Sequence, residues 1–148
     1  LLLFGWALGA PATGWLSDRL GRRKPILIAG SVIVCLMLFS LIFIPHLPLP
    51  TTVTIVIIIG FSGGSMATCF ALVRDVLPDR ITGAATGIVN ALTVASGAVL
   101  QPVVGLLLDL LAAHNTASYT EANFRQAFCA ILMTAFAGLL VAFRLREK

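Results

Sequence analysis

Gly60, Phe61, Ser62, Gly63 and Gly64 spell a Gly-x-Ser-x-Gly string, the spacing that exposes a serine nucleophile on a strand-to-helix elbow. That chemistry needs a strand before the serine and a histidine beside it. Here the string lies inside a long apolar run, and the two histidines, His46 and His114, fall in polar stretches read as loops. They are expected to be solvated, and neither has a partner at metal-ligand spacing. Cys35, Cys69 and Cys129 are an odd number in three apolar runs without a CxxC or Cys/His pattern, so they read as small packing residues. Paired carboxylates, a phosphate-binding glycine loop and interleaved basic and aromatic residues are all lacking. No catalytic residue, metal, cofactor or nucleic-acid partner is expected.

What remains polar inside apolar sequence is a short set of uncharged groups. Gly83, Thr86, Gly87, Asn90, Thr93, Gly97, Gln101 and Gly105 fall within an arc of roughly 120° at helical spacing. An amide in hydrocarbon without a partner is costly, so Asn90 and Gln101 must face water or another helix. Pro102 removes a backbone hydrogen bond beside them and is expected to kink the helix, as moving gate helices require. Asn90, Thr93 and Gln101 are therefore candidates to line a solute cavity, with Ser62, Ser65 and Thr68 as weaker ones. Interhelical bonding is the alternative use of the same groups.

The elements that position these groups follow from composition. Of 148 residues, 59% are hydrophobic and only 11% charged, with a mean hydropathy of +1.03. A water-exposed surface needs roughly 25% charged residues. A soluble globule is excluded, and most of the surface must face lipid. Uncharged runs near the 20 residues that cross a bilayer as helix occur five times, at 1–17, 25–45, 51–73, 81–108 and 126–143, the last forming the end of a span read as 119–143. They are continuously apolar, which favours helices over the alternating strands of a barrel. Pro25 suits a helix start, and Pro45, Pro48 and Pro50 space the second helix from a third capped by Thr51 or Thr52. Ser118 and Glu121 have capping-box spacing, which starts the last helix near Tyr119, and Glu121 with Arg125 forms an i,i+4 pair. The stretches 25–45 and 126–143, rich in large apolar side chains, are expected to face lipid. Gly60, Gly63, Gly64, Ala67 and Ala71 share a face suited to close helix packing, and Gly5/Gly9 and Gly83/Gly87 repeat the GxxxG spacing.

With loops alternating sides, Arg19, Arg22, Arg23, Lys24, Arg74, Arg80, Arg144, Arg146 and Lys148 share one side and Arg125 alone takes the other. The positive-inside bias makes the first side cytoplasmic, with the carboxy terminus there. The chain opens inside an apolar run, without Met or a basic leader region, and is expected to be a piece of a longer protein.

The most specific string joins the first two spans: Gly14, Trp15, Leu16, Ser17, Asp18, Arg19, Leu20, Gly21, Arg22, Arg23 and Lys24. Gly14, one turn before Asp18, permits a close helix approach, Asp18 can accept bonds from local arginines, and Gly21 permits a left-handed turn. The string resembles the GxxxDRxGRR loop of the major facilitator superfamily, carried here by Gly14, Asp18, Arg19, Gly21, Arg22 and Arg23. The resemblance implies five helices of a twelve-helix bundle and a loop that latches the cytoplasmic side. The run from Gly97 to Gly105 with Asp109 looks like the eleventh helix of bacterial members, and the third span lacks the intramembrane Arg of many fourth helices. The short basic tail fits as well, so helices eight to twelve are implied, completed by missing amino-terminal helices. The function implied is secondary transport of a small solute by alternating access, coupled to an ion, in a plasma or bacterial inner membrane. None of the five spans has a charge near its middle, which leaves any coupling carboxylate to the missing helices. A transporter-like receptor or regulatory subunit is the alternative.

Overall fold

The computed structural model describes residues 1–114 and 119–145, and these form five helical rods. They are α1 (Leu2–Leu20), α2 (Lys24–Phe43), a rod made of α3 (Leu49–Gly63), a 3₁₀ turn (Gly64–Met66) and α4 (Ala67–Val76), then α5 (Asp79–His114) and α6 (Glu121–Arg144). No strand occurs among the described residues. Four rods are long and apolar enough to cross a membrane. The exception is α1, where Gly, Ala, Pro and Thr dilute the large apolar residues and Asp18 and Arg19 close the helix. With 36 residues, α5 is about 54 Å long and overreaches a hydrocarbon layer of about 30 Å. It absorbs His114, which the sequence placed in a loop.

Helix starts differ from the sequence expectation in two places. The third rod begins at Leu49 after an extended Pro48, so Pro50 sits in its first turn, where no backbone N–H is needed. Thr51 and Thr52 therefore lie inside the helix and do not cap it, and the Thr52 hydroxyl turns back to the Pro48 carbonyl at 3.4 Å. The last helix is capped by Thr120, whose side chain accepts from the Asn123 N–H at 3.3 Å. That cap moves the start from Tyr119 to Glu121. Ser118, like Arg146 and Lys148, lies outside the described residues.

Small residues decide how the rods pack. A Cβ built on Gly9 would overlap the Phe61 carbonyl, one on Gly5 that of Ile57, and one on Gly60 that of Leu2. One on Gly64 would strike the backbone of Gly9 and Ala10. The backbones of α1 and α3 thus touch along a seam that only glycine permits. The expected strip on the third rod is realised at Gly60 and Gly64, whereas Gly63, Gly83 and Gly87 have nothing within 4 Å of a Cβ position. On the other side of the third rod, Gly30 of α2 receives the Ser65 side chain.

The antiparallel helices α2 and α6 pack side by side and are pinned at both ends. Lys24 Nζ donates to the Phe143 and Leu145 carbonyls at 2.9 and 2.7 Å, where α6 ends. At the opposite end Arg125 donates to the Ile44 carbonyl at 3.3 Å, where α2 ends. A cation at a helix carboxy terminus meets both unsatisfied carbonyls and the negative end of the helix dipole. Leu36, Phe39, Met133 and Phe136 are exposed along a groove shared by this pair. The fourth rod, α5, packs among the described residues only on α4 and α6, and Ala112 is the only buried residue among its described side chains.

Candidate functional site

The turn between α1 and α2 is made by Gly21, which takes φ 62° and ψ 15° and donates its N–H to the Asp18 carbonyl at 3.2 Å. A left-handed glycine ends α1 and lets α2 begin three residues later. Ser17 is fully buried under this turn, and its hydroxyl accepts from Arg23 Nη1 at 3.2 Å.

Arg23 is the hub. Its Nη1 donates to Asp18 Oδ1, and its Nε donates to Asp75 Oδ2 at 2.9 Å. Asp75 stands in the last turn of α4, so one guanidinium ties the first turn of the bundle to the end of the broken rod. The bond to Asp75 first, and that to Asp18 second, raise the Arg23 pKa above its ordinary value. Its neighbour Lys24 holds the end of α6, as above. Residues 23 and 24 thereby join α1, α2, α4 and α6 at one end of the molecule. Arg19 lies over the Trp15 ring, 5.3 Å from its centroid.

The sequence located this loop and expected Asp18 to accept from a local arginine, but it did not single out Arg23 and missed Asp75 and the grip of Lys24 on α6. The available signal was an acid, Asp75, on a side otherwise rich in cations. The five rods make no close crossing at Gly14, where an added Cβ would meet nothing within 4 Å. At 100° per residue Gly14 points about 140° away from Gly9, and the close crossing occurs on the Gly5 and Gly9 face instead.

The candidate cavity residues separate into two groups. Ser62, Ser65 and Thr68 are buried, and Thr68 Oγ1 donates to the Ser65 carbonyl at 2.6 Å. Ser62 and Ser65, without Thr68, border a cleft of about 530 Å³ that Leu27 and Ser31 of α2 and Gly138 and Ala142 of α6 complete. Asn90, Thr93 and Gln101 stand on α5, which does not touch α2 or α3. Thr93 Oγ1 returns to the Val89 carbonyl at 2.8 Å. The Asn90 and Gln101 amides are exposed and have no hydrogen-bond partner among the described residues. Gln101 and Gly97 edge a groove of about 410 Å³ against Phe128 and Ile131 of α6. The helix runs on through Pro102 to His114. Ser62 lies within α3 rather than on an elbow, and His46 is exposed in the α2–α3 connection. No group of three potential metal ligands occurs among the described residues.

At the end opposite Arg23, Arg125 pairs with Glu121 at 2.7 Å as the spacing required. Tyr119 donates its hydroxyl to Asp109 Oδ1 at 2.8 Å, which raises the tyrosine pKa.

Compared with known proteins, the chain matches no curated protein and no solved structure. It does match the family model for the Major Facilitator Superfamily, and the match runs over residues 1–148. The helical rods, their apolar surfaces and the charged turn at Asp18 and Arg23 agree with that match, and the chain belongs to the Major Facilitator Superfamily, a family of integral membrane proteins that transport solutes.

Proposed function

We propose that this chain supplies helices eight to twelve of a secondary active transporter that moves a small solute by alternating access. The observation that carries the reading is the open pair of amides on α5. Asn90 and Gln101 project from a mostly aliphatic helix and have no partner among the described residues, as groups bordering a wetted solute path would. Thr93 lies between them, and Pro102 supplies a hinge beside Gln101. Ser62 and Ser65 contribute the polar edge of a second cleft on the third rod.

The Arg23 cluster acts as the latch. It joins separate rods through exposed polar contacts, which can open and close without disturbing the glycine seam of α1 and α3. By the distribution of cations, that end faces the cytoplasm of a plasma membrane or bacterial inner membrane, with the carboxy terminus on the same side. Any coupling carboxylate belongs to amino-terminal helices of the same protein, because no charge lies near the middle of the five rods.

Uptake of labelled solutes by the full-length protein in liposomes tests the proposal. Saturable uptake driven by an ion gradient is the expected result. Binding of a solute without its translocation would favour a transporter-like receptor or regulatory subunit.

A further inference from the structure

The basic end carries more cations than acids among the described residues, with Asp18, Asp75 and Asp79 against Arg19, Arg22, Arg23, Lys24, Arg74, Arg80 and Arg144. Arg23 occupies both Asp18 and Asp75, and Lys24 is bound to carbonyls of α6. Arg19, Arg74, Arg80 and Arg144 are exposed, and none has an ion pair among the described residues. Arg19 differs from the other three in its setting, because its guanidinium lies over the Trp15 indole.

Trp15 and Arg19 in turn end an exposed apolar stripe. Phe4, Leu8 and Trp15 are 60%, 51% and 60% exposed. Together with Arg19 they fall within an arc of about 60° on α1, roughly 120° round the helix from Gly9 and its seam with α3. From Leu8 to Arg19 the helix rises about 16 Å, close to half the thickness of a hydrocarbon core of about 30 Å. An indole at such a boundary keeps its ring in the apolar layer and its N–H at the headgroups. The stripe therefore calls for an occupant that is apolar along one leaflet's depth and anionic at its end.

We infer that the Phe4, Leu8, Trp15 and Arg19 edge of α1 seats an anionic phospholipid of the leaflet bordering the basic end. Its acyl chain lies along Leu8 and the Trp15 ring, and Arg19 donates to its phosphate. The planar fork of arginine suits two phosphate oxygens at once. The surplus of Arg74, Arg80 and Arg144 at the same end favours a headgroup with net negative charge over a zwitterion, whose own ammonium would be repelled.

The test uses the full-length protein in vesicles containing photoactivatable phosphatidylglycerol or photoactivatable phosphatidylcholine, with the labelled residues mapped by peptide mass spectrometry. Phosphatidylglycerol should label the segment around Trp15 about fivefold more than phosphatidylcholine, as about 1 kcal/mol per arginine near an anionic surface implies. In Arg19→Gln the preference should fall to about onefold while labelling of α6 is unchanged. In Trp15→Leu total labelling should fall for both lipids. Equal labelling by the two lipids in the unaltered protein would overturn the inference, and so would no labelling of α1 by either, which would mean that another helix covers the stripe. Photolabelling requires no solute movement, so failure here is distinct from failure of the transport reading.

Discussion

Replacing Arg23 with Gln or Asp75 with Asn should reveal how strongly the basic end holds the broken rod. The bond is 2.9 Å long, and the two side chains are 19% and 51% exposed. Unit charges about 4 Å apart attract by about 4 kcal/mol at an effective dielectric of 20 and about 1 kcal/mol in water. With half of the carboxylate in solvent, the lower figure applies, in keeping with about 0.2 to 1 kcal/mol for exposed pairs. A contact worth about 1 kcal/mol in only one conformation shifts the conformational equilibrium about fivefold. The assay is a double-mutant cycle in the full-length protein. A single cysteine on the far side reports the equilibrium through its rate of modification by an impermeant thiol reagent. Each single substitution should change that rate several-fold, and the double substitution should change it no more than the larger single one. Raising salt should shrink the effect in the native protein, since the pair is partly solvated. Additive single effects, with a coupling below about 0.3 kcal/mol, would refute the reasoning, because independent sites behave that way.

Glycines at two positions should respond oppositely: Gly9→Ala should lower thermal stability by about 1 to 3 kcal/mol through its clash with the Phe61 backbone, whereas Gly14→Ala should leave the melting temperature unchanged or slightly raised. Lys24→Met should loosen the end of α6 and speed hydrogen exchange at 140–145 about fivefold, while the exchange of α1 stays as it was. Single cysteines at 86, 90, 93, 97 and 101 of α5, in a background without Cys35, Cys69 and Cys129, should react with an impermeant thiol reagent and be slowed by substrate; protection at all five would remove the solute path from this face. Tyr119 should titrate above the ordinary tyrosine value of about 10, and Asp109→Asn should lower it, as read by phenolate absorbance. Since the neutral hydroxyl is the form that donates, its contribution to stability is present below about pH 10 and is lost as pH rises through the raised pKa.

Local features were readable from the sequence, and those that depend on packing were not. Gly21 sits where a left-handed residue must end α1, and Asp18 and Arg23 are five residues apart across that turn. The turn follows from the spacing, which left the partner of Asp18 open among Arg19, Arg22 and Arg23. Asp75 is 52 residues from Arg23, and only the arrangement of the rods brings the two together. The same is true of Lys24 and the end of α6, since a carbonyl acceptor carries no residue signature. Gly14 shows the limit of spacing: glycine marks a possible close approach, but its angle from Gly9 turns it away from the α1–α3 seam. Pro48 and Pro50 displaced the expected Thr cap because proline can fill the first turn of a helix as well as precede it. In the cavity, sequence grouped Ser62, Ser65 and Thr68 by polarity. Packing then gave two of them to a cleft and sealed the third within the bundle.

The reciprocal pinning of α2 and α6 has a bearing on which positions are free to vary. Both cations bind backbone oxygen, at Ile44 on one end and at Phe143 and Leu145 on the other. No side-chain replacement at those three positions deletes an acceptor, provided the helices still end where they do. The polar part of specifying the pairing therefore falls on two side chains, Lys24 and Arg125, beside the apolar packing along the two helices. The residues that receive them can drift toward whatever the lipid or neighbouring helices favour, and the register of the two rods is kept.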